Sequence, residues 1–152
     1  MDNTTLKEKI QGLLPGAEFQ ENKQFITFII PADQMHDLAL KLKNEPDLAF
    51  DFLFCLSGVD MVKYMEVVYH LESTLHRHQL VLKVRMYDRE HPAADTVCDI
   101  WKTADFHERE VFDLLGITFN HHPDMRRIFL DDNWKGHPLR KDYVDEVNIV
   151  EL

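Results

Sequence analysis

Cysteine, glycine, proline and long apolar runs are all scarce in this chain, and so is basic charge. Only Cys55 and Cys98 occur, 43 positions apart and in no CxxC pair. This argues against a disulfide framework and against a cysteine-built zinc or iron–sulfur site, and fits a reducing compartment. The five glycines never form GxGxxG or a Walker loop, so no nucleotide cradle is indicated. No apolar run approaches the roughly 20 residues that cross a bilayer. The start, MDNTTLKEKI, lacks the layout of a signal peptide, making the cytoplasm the expected location and any membrane association indirect. With 17 basic against 27 acidic residues the formal charge is -10, the wrong sign for neutralising phosphates, so nucleic acid is not an expected partner.

What is present describes one folded domain. Its 152 residues are 45% hydrophobic, enough chain and apolar surface for a real core. Thr5 to Glu8 reads as a capping box opening a helix with Leu6, Ile10, Leu13 and Leu14 on one stripe, stopped at Pro15-Gly16. Phe25 to Ile30 is β-branched and aromatic, as a buried strand requires. Asp33 is placed to cap a second helix carrying Met35, Leu38, Ala39 and Leu42, ended by Asn44-Glu-Pro46. Phe50 to Leu56 continues as a strand towards Asp60. Two runs of period two, Met65 to Leu71 and Leu80 to Met86, predict an antiparallel hairpin. Pro92 is placed to open a short helix with Val97, Ile100 and Trp101. The expectation is a two-layer α+β fold, with helices on a mostly antiparallel sheet and a long, helix-poor segment after Gly116.

Charge, histidine and turn residues concentrate between Asp105 and Tyr143. Asp105 to Glu108 reads as a second capping box and Gly116 as a helix stop. On a helical projection Val111, Phe112, Leu114 and Leu115 form an apolar arc, with Phe106, Arg109, Glu110 and Asp113 opposite. Arg109 and Asp113 then read as an exposed i,i+4 pair. Glu108 falls inside the arc, where a carboxylate costs a few kcal/mol unless paired. Arg126, Arg127, Arg140, Lys141, His122 and His137 are the cations at hand.

Catalytic readings are poorly supported. His107 and Glu110, with His121, His122 or His137, could share a metal in a small stand-alone metal-dependent enzyme, but no HExxH-type spacing fixes a geometry. His122 and Asp124 lack a nucleophile. Glu108 and Glu110 point about 200° apart and cannot act as an acid/base pair. Met125, Trp134 and Tyr143 read as anchors of the tail.

Three blocks carry a resemblance: Glu108-Arg-Glu-Val-Phe-Asp-Leu-Leu-Gly-Ile, His122-Pro-Asp-Met-Arg-Arg-Ile, and Gly136-His-Pro-Leu-Arg-Lys-Asp-Tyr143. Val97-Cys-Asp-Ile-Trp101 and Ser57-Gly-Val-Asp60 extend it upstream. Together they resemble the respiratory complex I 30 kDa subunit family, whose bacterial members are the C-type subunits of NADH-quinone oxidoreductase. The resemblance implies an α+β domain over 1–116 with a docking tail over 117–152. It implies a chain without cofactor of its own, in a complex whose other subunits use NADH, FMN, iron–sulfur clusters and quinone. The implied partners are the 49 kDa-type (D-type) large subunit, which with a small cluster-bearing (B-type) subunit lies on the cytoplasmic side of the inner membrane. Glu108, Arg109, Glu110, Asp113, His122, Arg126, Arg127, His137, Arg140, Lys141 and Asp142 occupy the matching motif positions, with an implied role in assembly. Only nine residues follow Tyr143, whereas many members of the family have a longer tail. Related subunits also serve energy-converting hydrogenases and ferredoxin-fed complexes.

Overall fold

The computed structural model describes residues 2–145. Helix α1 (Asn3–Leu13) starts the chain and buries Leu6 and Ile10. Its cap is Asp2, whose carboxylate accepts the Thr5 amide at 2.8 Å, so the expected Thr5 box lies one turn too late. A short strand β1 (Glu18–Gln20) pairs antiparallel with β2 (Thr27–Ile29). The sequence gives β1 away poorly, because three residues leave no period to count.

A 3₁₀ turn over Ala32–Gln34 leads into α2 (Met35–Asn44), which buries the four predicted residues Met35, Leu38, Ala39 and Leu42. Asp33 lies inside the turn and makes no capping bond; Gln34 precedes the helix instead. Strand β3 (Phe52–Asp60) and the hairpin of β4 (Met65–Glu72) and β5 (Gln79–Met86) follow as their periodicity predicts. The five strands run in the order β1-β2-β5-β4-β3, and only the β2–β5 pairing is parallel. Met65, Val67, Tyr69 and Leu71 point inward with Leu80, Leu82, Val84 and Met86, forming one core with the apolar faces of the helices.

After β5 the chain departs from expectation. Ala93–Asp95 is a strand, β6, rather than the helix Pro92 was expected to open, and it pairs parallel with β7 (Thr118–Asn120). The turn that follows still buries Val97, Ile100 and Trp101. Helix α3 (Ala104–Leu115) lies between these strands in sequence and packs against β3. Gly58 permits that approach: a Cβ there would sit 2.5 Å from Leu115 Cδ1 and 2.8 Å from Val111 Cγ1. Helix α3 ends at Gly116 with φ 75°, the left-handed conformation glycine adopts without strain.

Candidate functional site

Helix α3 is where the charged residues find their partners. An α-helix leaves its last carbonyls unbonded and slightly negative, so donors and cations gather there. Here the chain beyond β7 supplies them. Arg127 Nη1 donates to the Asp113 carbonyl at 3.1 Å, and His137 Nδ1 donates to the same oxygen at 3.0 Å. The Leu139 amide reaches the Leu114 carbonyl at 2.9 Å, and Arg140 Nη1 reaches that of Leu115 at 3.4 Å. His137 lies across Gly116, where a Cβ would meet its ring at 2.6 Å. The tail is thus the cap of the helix.

Two buried carboxylates fasten the strap. Asp113, fully buried, accepts the amides of Ile128, Phe129 and Leu130 on Oδ2 at 3.1, 2.7 and 3.0 Å. Arg127 Nη1 reaches its Oδ1 at 2.9 Å. Burial pushes the Asp113 carboxyl up, but the three amides and Arg127 outweigh it and hold the group below its ordinary range. The expected exposed Arg109–Asp113 pair is therefore not formed. Asp113 faces the tail, and Arg109 donates to the carbonyls of Arg126 and Arg127 at 3.2 and 3.1 Å. Arg127 also ties the strap to itself through the carbonyls of Trp134 and Gly136.

The second socket is Asp60, at the end of β3. Arg89 meets it with both terminal nitrogens at 2.5 and 2.9 Å, and the amides of Val62 and Lys141 add bonds of 2.9 Å each. The Arg89 guanidinium holds the Asp60 carboxyl far below the usual carboxylate range, against the opposing effect of burial. Arg140 closes the arrangement, donating to the Arg89 carbonyl at 2.6 Å and pairing with Asp142 at 3.1 Å. Lys141 takes part through its backbone N–H.

Glu108 sits apart from both sockets and is fully buried. No arginine answers it, contrary to the expectation that a cation would. Thr96 donates its hydroxyl to Oε2 at 2.5 Å and Val97 its amide to Oε1 at 2.8 Å, so Glu108 splices α3 to the loop after β6. The second capping box is also absent: Thr103 precedes α3, and its hydroxyl donates to the Leu53 carbonyl.

Of the predicted site residues, Asp113, Arg109, Arg127, His137, Arg140, Lys141 and Asp142 meet along the strap. Arg126 is exposed and pairs with Asp124 at 2.6 Å, while Glu110 is exposed on α3. His122 has a fully buried side chain beside Asp105, with Nε2 3.0 Å from Oδ1. Sequence reasoning misses Asp60 and Arg89 as site residues. Asp60 ends an apolar strand inside a quoted motif, which is the one signal the sequence offers for it.

The rival metal set of His107, Glu110 and a third histidine does not converge among the described residues. Cys98, Glu108 and His122 come closer, each offering one donor atom within 4.8 Å of the others. Hydrogen bonding nevertheless commits these groups. The Asp124 amide donates to His122 Nδ1 at 2.9 Å, which puts the ring proton on Nε2, facing the Asp105 carbonyl at 3.3 Å. A ligating histidine keeps one lone pair free for the ion, whereas here the Asp124 amide occupies the lone pair of Nδ1 and Nε2 carries the proton. Burial also pushes the Cys98 thiol up, away from the thiolate a metal or nucleophilic role requires.

While Arg127, His137 and Arg140 turn inward, the strap turns apolar side chains outward. Phe129, Leu139 and Val144 are 60–64% exposed, and Trp134 is 39% exposed. No helix among the described residues is long and apolar enough to cross a membrane.

Fold and site together define a class: an α+β domain whose charged residues are spent on strapping a polar segment across the end of one helix. Comparison with known proteins gives that class a family. Residues 28–147 match the family of the respiratory-chain NADH dehydrogenase 30 kDa subunit, and the chain belongs to it. The C-type subunit of the Moorella thermoacetica NADH-quinone oxidoreductase is 39% identical over 145 residues, covering 94% of this chain and 95% of that one. Its Roseiflexus castenholzii counterpart is 38% identical over 147 residues, covering 93% and 84%. The C/D-type subunit of the Bacteroides thetaiotaomicron NADH-quinone oxidoreductase is 48% identical over 130 residues, covering 78% of this chain but only 24% of that longer protein. A chain in the structure of the membrane-bound sulfane sulfur reductase, an archaeal respiratory membrane complex, superposes with a TM-score of 0.79 at 27% identity, covering 95% of this chain and 86% of that one.

Proposed function

We propose that this chain is an accessory subunit, without a cofactor of its own, that docks on the D-type large subunit of a membrane-bound NADH-quinone oxidoreductase. The carrying observation is the two-sided strap. Asp113 and Asp60 hold it from within, and Phe129, Leu139, Val144 and Trp134 face outward from it. Rigid, outward apolar anchors rimmed by polar groups are what a protein interface needs. That one chain bears both the C and D names in Bacteroides thetaiotaomicron supports the D-type protein as the neighbour.

In this reading residues 117–152 form the docking part and Glu108, Arg109, Glu110, Asp113, His122, Arg126, Arg127, His137, Arg140, Lys141 and Asp142 serve assembly. The small B-type, cluster-bearing partner lies nearby, and the chain is peripheral, on the cytoplasmic side of the membrane. NADH oxidation, electron transfer to quinone and the coupled proton translocation belong to the other subunits, with their FMN and iron–sulfur clusters. A second reading, an equivalent subunit of another respiratory membrane complex, draws on the likeness to the sulfane sulfur reductase chain. The higher identity to the C-type relatives favours the first.

Affinity purification of the tagged chain from detergent-solubilised native membranes tests the proposal. A D-type large subunit is expected in stoichiometric yield, with NADH-oxidising subunits in the same complex. Recovery of the chain alone overturns docking. Recovery with a large partner but without NADH-oxidising subunits favours the second reading.

A further inference from the structure

The turn between β3 and β4 is built against the preference of its own residues. Val62 has φ 69°, in the left-handed region, and it is the β-branched one of the four non-glycine residues with positive φ among the described residues. There an L side chain crowds the following carbonyl, most of all when it is branched at Cβ, and glycine or asparagine is the ordinary choice. Packing inside the chain does not offset the strain, since Val62 is 59% exposed. The turn is nonetheless held firmly. Val62 donates its amide to Asp60 Oδ1 at 2.9 Å, Met61 its amide to the Tyr64 carbonyl at 2.9 Å, and Lys63 its amide to the Met61 carbonyl at 2.8 Å. A strained conformation that its surroundings enforce is characteristic of functional sites.

Around this turn lies an apolar corner of the sheet. Val59, Met61 and Tyr87 are exposed there with Val62. The Tyr87 ring lies 5.4 Å from that of Tyr64, and Arg85, fixed by Glu66 at 3.0 Å, sits over the Tyr64 ring at 4.7 Å. Rigid tyrosine and arginine beside exposed aliphatic side chains are what the core of an interface is made of. Corner and strap are joined through Asp60. Its Oδ1 takes the Val62 amide and its Oδ2 that of Lys141, and Leu139 and Val144 stand on either side of Lys141 in the sequence. Eight of the twelve large apolar side chains exposed among the described residues belong to this corner or to the strap. The exposed apolar surface is therefore concentrated on two adjoining elements, not scattered singly as on an ordinary monomer.

We propose that the β3–β4 turn, with Val59 and Tyr87, is the second half of the docking surface, covered by the D-type large subunit together with the outer face of the strap. This rests on the docking reading above. The occupant follows from continuity: a partner seated on Leu139 and Val144 meets Met61 and Val62 across Asp60, so one protein surface covers both. Contact with that subunit supplies the packing that Val62 lacks within its own chain. It thereby accounts for a branched side chain in a conformation that glycine adopts freely.

Val62→Gly separates binding from folding. It keeps the amide on Asp60, removes the apolar side chain and relieves the left-handed strain, so the variant should melt at or above the temperature of the parent chain. Recovery of the large subunit with the tagged chain from native membranes should nonetheless fall at least about fivefold. Met61→Ser, at an exposed side chain of the same turn, should act in the same direction, and it serves if the glycine variant does not fold. A benzophenone side chain placed at Tyr87 should, on irradiation, join the chain to the large subunit. Full recovery with Val62→Gly, while Phe129→Ser/Leu139→Ser loses the subunit, overturns this second half and leaves docking in place. Full recovery with both variants overturns docking itself. Cross-linking to a second copy of this chain, or to a different subunit, overturns the proposal.

Discussion

Asp113→Ala is expected to destabilise the domain by about 3–5 kcal/mol, the usual cost of removing one partner from a buried ionic network. The alanine would leave three amides, those of Ile128, Phe129 and Leu130, without their acceptor and the Arg127 guanidinium without its carboxylate. Each buried group stripped of its partner costs roughly 1–3 kcal/mol if it stays dry. The strap is near the surface, so part of that cost is recovered by opening to water. Opening is itself the expected phenotype. Urea unfolding should show the midpoint drop, and exchange of residues 127–140 should rise well above the rest of the chain. Asp113→Asn keeps the shape and one acceptor oxygen, so its effect should be intermediate. Asp113 is held below its ordinary range in the folded chain. Its stabilisation is therefore present at neutral pH and is lost as pH falls through the folded-state value.

Asp60→Ala comes next, at about 2–3 kcal/mol. The carboxylate is buried but Arg89 keeps 23% of its side chain exposed, so water softens the loss on the cation's side. The local signature differs from that of Asp113. Lys141 and Val62 lose the acceptor for their amides, so exchange should rise at the far end of the strap and in the β3–β4 turn. The two sockets share the strap but no atoms. Their double variant should fall short of the sum, because a strap already released at one end has less to lose at the other.

The sheet, α2 and the end of α3 are legible in the sequence because each is governed by a local rule: period two, period 3.6, and glycine at a left-handed stop. Asp113 is not. A helical projection assigns the side opposite the apolar arc to solvent, and nothing local to α3 shows that residues 127–130 return to cover it. Glu108 is the opposite case. Its place in the arc marks it as needing a partner, but the sequence directs the search to cations downstream. The donors are Thr96 and Val97, in a stretch whose leading proline points to a helix. Strand β6 hides there because Ala93-Ala94-Asp95 carries no strand propensity and exists only by pairing with β7. The motif blocks, by contrast, point to the right family, since their spacing depends on contacts between segments that no local rule describes.

The central claim is that the strap's outer face, held from within by Asp113 and Asp60, binds the large subunit. Co-purification with a Phe129→Ser/Leu139→Ser double variant tests it most directly, because both side chains are more than half exposed and the bonds these residues make to Asp113 and Leu114 run through their backbone amides, which serine keeps. The variant should unfold within roughly 0.5 kcal/mol of the parent chain, as surface changes do. Its recovery of the D-type subunit from membranes should nonetheless fall at least about tenfold, the loss of an interface anchor worth about 1.4 kcal/mol or more. A variant that folds as the parent does and recovers the large subunit equally well would contradict the claim.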